Sequence, residues 1–342
     1  VRDVNEWSVL ADDRTGALDA AGEMARWMGP VLVGSSRHRG LVVDLGSRVL
    51  DAHQAAAAVR AAAVDARLHL HKIDSMLRGN WCAELIARSD ATARRVLLVP
   101  AWPEMRRTCR GGVVEADGAV VGRPAEYIAS LGLTVSRIDA GALQRWGSSA
   151  DRFAVCDATD HRHLRFIARW WLDHSDDVLL AGPAGVLGAA AAESWRGRAV
   201  PRAAEPPLRL PAPLLVVCAS VHPIARAQVD VLRRVRPDVT IAVSPMPPDN
   251  TAQGDPGFVA EWSAATAAAT ARAGTLVLIG GDTAAGIMGA GQWICSGTVG
   301  QGVAVSRRVD GAGPVYLTKA GAFGDASTLV RVIDMVGDGV AG

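Results

Sequence analysis

Lysine is nearly missing from this chain: of 36 basic residues only Lys72 and Lys319 are lysines. Arginine stands wherever a surface cation would serve, so these two positions are read as places where a compact ammonium is needed and a wide planar guanidinium will not substitute. Net charge is nearly missing too, at +1 over 342 residues, and with it the electrostatic footprint of a protein whose main partner is nucleic acid or an anionic membrane. An anionic ligand must then be held by local geometry. Cys82, Cys109, Cys156, Cys218 and Cys295 are odd in number, lie far apart and show no C-x-x-C spacing, which argues against a disulfide framework and for reduced thiols. No run of about 18 uninterrupted apolar residues occurs and the first residues show no apolar signal segment, so a soluble, cytoplasmic protein is expected. His69 and His71 share a strand face and His161 and His163 sit close together, but neither pair has a third ligand at a recognisable spacing, so no metal site is assigned. The Trp170-Trp171 pair is read as a helix packing face.

What is present is a rhythm. Short Val, Ile and Leu runs (7–10, 31–33, 41–43, 68–73, 96–99, 153–156, 178–181) alternate with Ala-rich helical stretches. Strands covered by helices on both faces become such continuous apolar runs, so the reading is α/β with a largely parallel sheet. The pattern breaks over 196–213, a proline-rich polar stretch suited to a semi-rigid linker. A second α/β set follows, with strands near 214–218, 239–243, 275–279 and 315–318 and helices near 224–235 and 258–273. The expectation is two α/β domains, 1–205 and 206–342, each with a largely parallel sheet and with a ligand cleft between them.

The groups with chemical use gather at strand ends. Ala11-Asp12-Asp13-Arg14-Thr15-Gly16-Ala17-Leu18-Asp19 follows the first strand and leads into a helix over 20–28. Ligands in open α/β sheets bind beyond the carboxyl ends of the strands, which makes the aspartates candidates for orienting a substrate group. A helix N-cap is the plainer role for one of them. Lys72-Ile73-Asp74-Ser75-Met76-Leu77-Arg78-Gly79-Asn80 offers cations for a carboxylate and Asp74 and Ser75 for hydroxyls, although a strand end with a local salt bridge would look the same. In Pro100-Ala101-Trp102-Pro103-Glu104-Met105-Arg106-Arg107-Thr108 two prolines stiffen a loop presenting Glu104 and Arg107. Gly280-Gly281-Asp282-Thr283 and Lys319-Ala320-Gly321-Ala322-Phe323-Gly324 each follow a strand and open a helix, where backbone N–H groups can approach phosphate oxygens. Neither is a Walker A or G-x-G-x-x-G fingerprint.

Taken in order over nearly the whole chain, these segments resemble the four-carbon acid sugar kinase family. The resemblance rests on Ala11-Asp12-Asp13, Thr15-Gly16 and Asp19; on Lys72-Ile73-Asp74-Ser75 with Leu77-Arg78-Gly79-Asn80; on Pro100-Ala101, Pro103-Glu104 and Arg107-Thr108; on Gly280 to Ala284; and on Thr318-Lys319, Gly321 and Phe323-Gly324. It implies an N-terminal acid-binding domain, a C-terminal nucleotide domain and phosphoryl transfer from ATP, with Mg²⁺, to a hydroxyl of threonate, erythronate or an oxo derivative. Asp13 is expected to orient or deprotonate the attacking hydroxyl, with Asp12 and Asp74 as near competitors. Thr15, Gly16, Asp19, Lys72, Ser75, Arg78, Glu104 and Arg107 would meet the acid, and Ser220, Gly280, Gly281, Asp282, Thr283, Lys319, Gly321 and Gly324 the nucleotide. Mg²⁺ would be held largely through the nucleotide's phosphates. The chain departs from the family's Gly-Ser-x-Ser followed by Thr, having Ala219-Ser220-Val221-His222 and then Ala225, although Gln228 is kept, and Met76 stands for a usual Thr. Ala219, His222 and Ala225 motivate a rival reading, a non-catalytic acid-binding sensor or partner subunit that has lost turnover. Met76 and Trp102 motivate another, a kinase of a different hydroxy or amino acid in a specialised biosynthetic pathway. The oligomeric state is left open, a homodimer included.

Overall fold

The structure, a computed structural model, describes residues 6–35, 40–198, 210–245, 256–300 and 302–337. The amino-terminal strands are β1 (Trp7–Ala11), β2 (Val31–Ser35), β3 (Val42–Asp44), β4 (Leu68–Lys72), β5 (Arg95–Leu98), β6 (Arg107–Arg110), β7 (Val113–Ala116), β8 (Ala119–Gly122), β9 (Val135–Ile138), β10 (Phe153–Cys156) and β11 (Val178–Gly182). The carboxyl-terminal strands are β12 (Leu214–Cys218), β13 (Thr240–Val243), β14 (Thr275–Ile279), β15 (Gln292–Thr298), β16 (Val303–Arg308) and β17 (Val315–Lys319). The helices are α1 (Arg14–Met28), α2 (Ala52–Ala61), α3 (Trp81–Thr92), α4 (Pro124–Ser130), α5 (Leu143–Gly147), α6 (His161–Asp173), α7 (Ala184–Ser194), α8 (Pro223–Val235), α9 (Pro256–Thr270), α10 (Gly281–Met288) and α11 (Thr328–Gly337).

Fourteen strands form one sheet in the order β13-β12-β14-β17-β16-β15-β2-β3-β1-β4-β11-β5-β10-β9, and β6, β7 and β8 form a separate antiparallel meander. The β13-to-β17 pairings and those from β2 to β9 are parallel. Between them β17, β16, β15 and β2 pair antiparallel, with Gln292 opposite Gly34 and Cys295 opposite Val31. The two expected parallel sets are therefore fused into one sheet. The fusing arm escaped the sequence reading because its strand Gln292–Thr298 alternates buried and half-buried positions, the period of an antiparallel strand, and not the continuous apolar run sought. The proposed boundary at 205/206 lies outside the described residues.

Helix α1 lies at the centre of the molecule. It is buried from Arg14 through Ala25, which its run of Gly and Ala permits, and it packs on α7, β15 and β16. It starts at Arg14, earlier than the expected 20–28, because Asp13 caps it by accepting from the Gly16 amide at 2.8 Å. Thr15, Gly16 and Asp19 thus sit on a helix and not on a loop. One hydrophobic core beneath α1 runs from Val9 and Leu70 to Leu278 and Tyr316, so both parts of the chain share it. A smaller core around Val216, Leu232, Leu317 and Ile333 lies under α8 and α11. The Trp170-Trp171 pair is indeed packing: Trp171 is buried and tilted on Trp7, and Trp170 stacks on His174. Among the described residues no helix is long and apolar enough to cross a membrane.

Candidate active site

The turns that follow β1, β3, β4, β12, β14 and β17 converge on a cleft of about 500 Å³. Its lining includes Asp13, Thr15, Arg48 and Arg78 from the amino-terminal part and Ser220, His222, Gly281, Asp282, Thr283 and Gly321 from the carboxyl-terminal part. This is the carboxyl edge of both parallel sets, where an α/β sheet meets its ligands.

The amino-terminal wall is a lattice of ion pairs organised by Arg48, which the sequence reading overlooked. Its guanidinium donates to both Asp12 oxygens (2.7 and 2.9 Å) and to both Asp13 oxygens (2.8 and 2.9 Å), and it lies 3.6 Å from Asp74. The two adjacent carboxylates share one small site because a planar fork with five donors bridges them. Asp13 also accepts from the Thr15 hydroxyl at 2.8 Å and the Gly16 amide. Burial pushes the Asp12 carboxyl up to about 6, against the pull of Arg48. Asp74 is gripped side-on by Arg78, whose Nε and Nη2 donate to its two oxygens at 2.9 and 2.7 Å. Burial works to raise its carboxyl, but the Arg78 hydrogen bonds and the Arg48 and Arg78 charges outweigh it and hold Asp74 below the ordinary carboxylate range. A polar turn directly after the β3 run, Leu45-Gly46-Ser47-Arg48, was the signal available for Arg48.

The carboxyl-terminal wall is built from backbone. A Cβ on Gly281 would lie 2.3 Å from Asp13 Oδ2, and one on Gly321 would lie 2.6 Å from Ser220 Oγ. Both positions therefore need glycine for close approach. Thr283 accepts from the Ala219 amide at 3.1 Å, tying the first two turns together. Asp282, in the first turn of α10, is raised by burial and then by the facing Asp13 charge. The three departures from the family pattern have structural roles or places here: Ala219 makes that backbone bond, Ala225 is core, and His222 caps α8 by accepting from the Ile224 amide at 3.3 Å. Gln228 donates to the Phe323 and Asp325 carbonyls, at 2.9 and 2.8 Å, and so holds the last glycine turn.

The two lysines occupy matching places. Each is the last residue of a central strand and each donates to the next residue's carbonyl, Lys72 to Ile73 at 2.9 Å and Lys319 to Ala320 at 2.8 Å. Neither lines the cleft directly. Both act on Asp19 of α1, whose carboxyl burial pushes well up against the opposing charge of Lys72 and, more weakly, Lys319. Asp19 Oδ1 and Ser75 Oγ are buried without hydrogen-bond partners. Burial lowers the Lys319 ammonium to about 8.

Three of the expected site residues are brought together elsewhere. Glu104, Arg107 and Gly324 line a second cleft of about 380 Å³ with Asp117, Thr328 and Arg331. There Arg107 donates to the Met105 carbonyl and to Asp117 (3.0 Å), and Glu104 lies 3.4 Å from His161. Trp102 faces no ligand space: it is buried edge-on against Phe323, with ring centroids 5.6 Å apart. Its bulk is a packing feature joining the two parts, and it does not support a changed substrate.

Comparison with known proteins fits this architecture. Residues 7–128 match the sugar-binding N-terminal domain family. The chain is 29% identical over 261 residues to the D-threonate kinase of Salmonella typhimurium, covering 65% of this chain, and it spans 59% of that relative's length. It is 29% identical over 326 residues to the D-threonate kinase of Cupriavidus necator, covering 81% of this chain and 75% of that protein. A solved Haemophilus influenzae protein, from a family once without assigned function, shares the fold at a TM-score of 0.66 and 15% identity over 96% of this chain and 99% of that one. A solved Salmonella typhimurium protein does so at 0.74 and 16%, over 95% and 98%. Residues 7–128 thus resemble a sugar-binding N-terminal domain, and the chain is similar over most of its length to curated D-threonate kinases.

Proposed function

We propose that the protein is an ATP-dependent kinase that phosphorylates a hydroxyl of a small hydroxylated carboxylic acid, with four-carbon acid sugars such as threonate, erythronate or an oxo derivative as the substrate class. The supporting observation is the apposition of Asp13, on the acid side, with the bare backbone of Gly281, on the glycine side. A phosphoryl group lying along the glycine turns would be presented to a hydroxyl beside Asp13. Phosphoryl transfer needs positioning and charge neutralisation more than covalent help, and both walls supply those. Backbone N–H groups of the turns at Ser220, Gly281 and Gly321 cradle phosphate oxygens, with Lys319 behind them. Asp13 accepts from Arg48, Thr15 and Gly16, and it orients the hydroxyl by taking the hydroxyl's hydrogen bond in exchange for one of these. Arg78 offers the substrate carboxylate a partner, since its side chain is 44% exposed despite the Asp74 pair. Among the described residues no group of three or more His, Cys, Asp or Glu side chains could hold a metal. Mg²⁺ would enter on the nucleotide's phosphates and neutralise their charge. The test is incubation with ATP, Mg²⁺ and a panel of four-carbon sugar acids, with the phosphorylated product identified by mass. Binding of an acid with no phosphorylated product from any of them would replace this reading with the sensor.

A further inference from the structure

Arg48 is held from behind as well as from the front. It stands in a 3-10 turn, Ser47–Val49, and the start of α3 grips that turn at three points. Asn80, at the N-cap position of α3, makes no capping bond there; its amide donates instead to the carbonyls of Ser47 (3.0 Å) and Leu50 (2.8 Å). Glu84, one turn on, is wholly buried, accepts from the Ser47 hydroxyl at 2.6 Å and meets His71 Nε2 at 2.9 Å. Burial lowers the His71 ring's proton affinity despite Glu84, so the ring is neutral and donates Nε2–H. Burial alone would raise the Glu84 carboxyl, but the His71 and Ser47 hydrogen bonds and the Arg48 charge outweigh it, and the group is ionised. A buried carboxylate is retained at such a place only when it is paired. None of Ser47, Asn80, Glu84 or His71 lines the cleft.

We propose that Ser47, Asn80 and Glu84 are positioning residues: a brace that fixes the Arg48 guanidinium against Asp12 and Asp13 and so sets the geometry of the wall that aligns the substrate hydroxyl. The brace acts through Arg48 alone, and the inference rests on the kinase reading above. A hydroxyl and a carboxylate locked at 2.6 Å remove the play from a turn whose guanidinium must meet two carboxylates at once. Misplacement of a positioning group by about 1 Å is enough to cost turnover without loss of binding.

The test is a double-mutant cycle on turnover of the acid by Ser47→Ala, Arg48→Lys and the double variant, with Glu84→Gln as a second probe and thermal unfolding to show that each is folded. Ser47→Ala is expected to lower kcat about tenfold with KM for ATP little changed, and Glu84→Gln to behave alike. In the Arg48→Lys background Ser47→Ala should cost less than about twofold, because the group it positions is gone. Equal losses in both backgrounds, or no loss in either, would overturn the brace. If the wild-type protein turned over none of the acids, the kinase reading would fall, and the same cycle read as acid affinity by calorimetry would decide the brace: coupling to Arg48 supports it and additivity overturns it.

Discussion

The two walls of the cleft are built by opposite means. The amino-terminal wall is crowded with charged side chains, and each carboxylate in it meets a guanidinium at hydrogen-bonding distance, as Arg48 does with Asp12 and Asp13 and Arg78 with Asp74. The carboxyl-terminal wall has glycines where side chains would collide and presents mainly backbone to the cleft. A wall of ion pairs is stiff and specific, since removing one partner strands the other. A wall of backbone is tolerant of side-chain identity but intolerant of added bulk. Ala219, His222 and Ala225 suit such a wall: the first bonds through its backbone, the second caps α8 and the third packs in the core.

The contrast is broken most severely by Arg48→Ala. Three acids, Asp12, Asp13 and Asp74, lose a shared partner, so turnover should fall by about a thousandfold and unfolding free energy by about 3 kcal/mol. Steady-state kinetics and denaturant unfolding check the two figures. Asp13→Asn comes next: the amide oxygen still caps α1, but its NH2 faces the Arg48 and Thr15 donors, so stability should fall by about 1–3 kcal/mol, while kcat falls about a hundredfold with KM for the acid kept. Near-normal turnover in that variant would reduce Asp13 to a cap. Gly281→Ala probes the other wall; its Cβ pushes Asp13 or the turn aside, and about a tenfold loss in kcat/KM is expected, an overpacking cost of about 1–3 kcal/mol.

A smaller effect sharpens the comparison through pH. The Lys319 ammonium titrates near 8, so its charge is full below that value and is lost as pH rises through it. KM for ATP should therefore climb several-fold between about pH 7 and about pH 9.5, and Lys319→Arg, always charged, should flatten the climb while raising KM throughout. A wild-type KM that stays level would detach Lys319 from the nucleotide. Least of all should thiol reagents matter. All five cysteines are free and buried, and burial raises Cys82 to about 11 and Cys295 to about 12, so alkylation of the native protein should change turnover by less than about twofold.

Much of this was legible in the chain. The apolar runs marked the parallel strands because burial on both faces erases alternation; the polar turns after them marked most of the cleft because a parallel sheet gathers its strand ends on one edge. What could not be read is what depends on tertiary partners. Arg48 follows a three-residue strand and looks like any of the other arginines until Asp12, Asp13 and Asp74 are brought to it. Glu104 and Arg107, at the start of the meander, meet Gly324, just ahead of α11, in the second cleft, a meeting of segments far apart in the chain. The antiparallel arm was hidden by its own half-buried alternation, and the meander by strands of four residues each.

That arm also bears on how the chain is made. Ser35 at the end of β2 receives a hydrogen bond from the Gly291 amide, 256 positions later, and the β2–β15 ladder runs on from there. During synthesis the first half of the molecule emerges before β15, and among the described residues no strand encoded before residue 291 pairs with that side of β2. Pairings of such sequence separation form late, and an uncovered edge invites association between nascent chains. A fragment ending near residue 205, however natural a domain it looks on paper, should therefore self-associate, and supplying 206–342 in trans should rescue it.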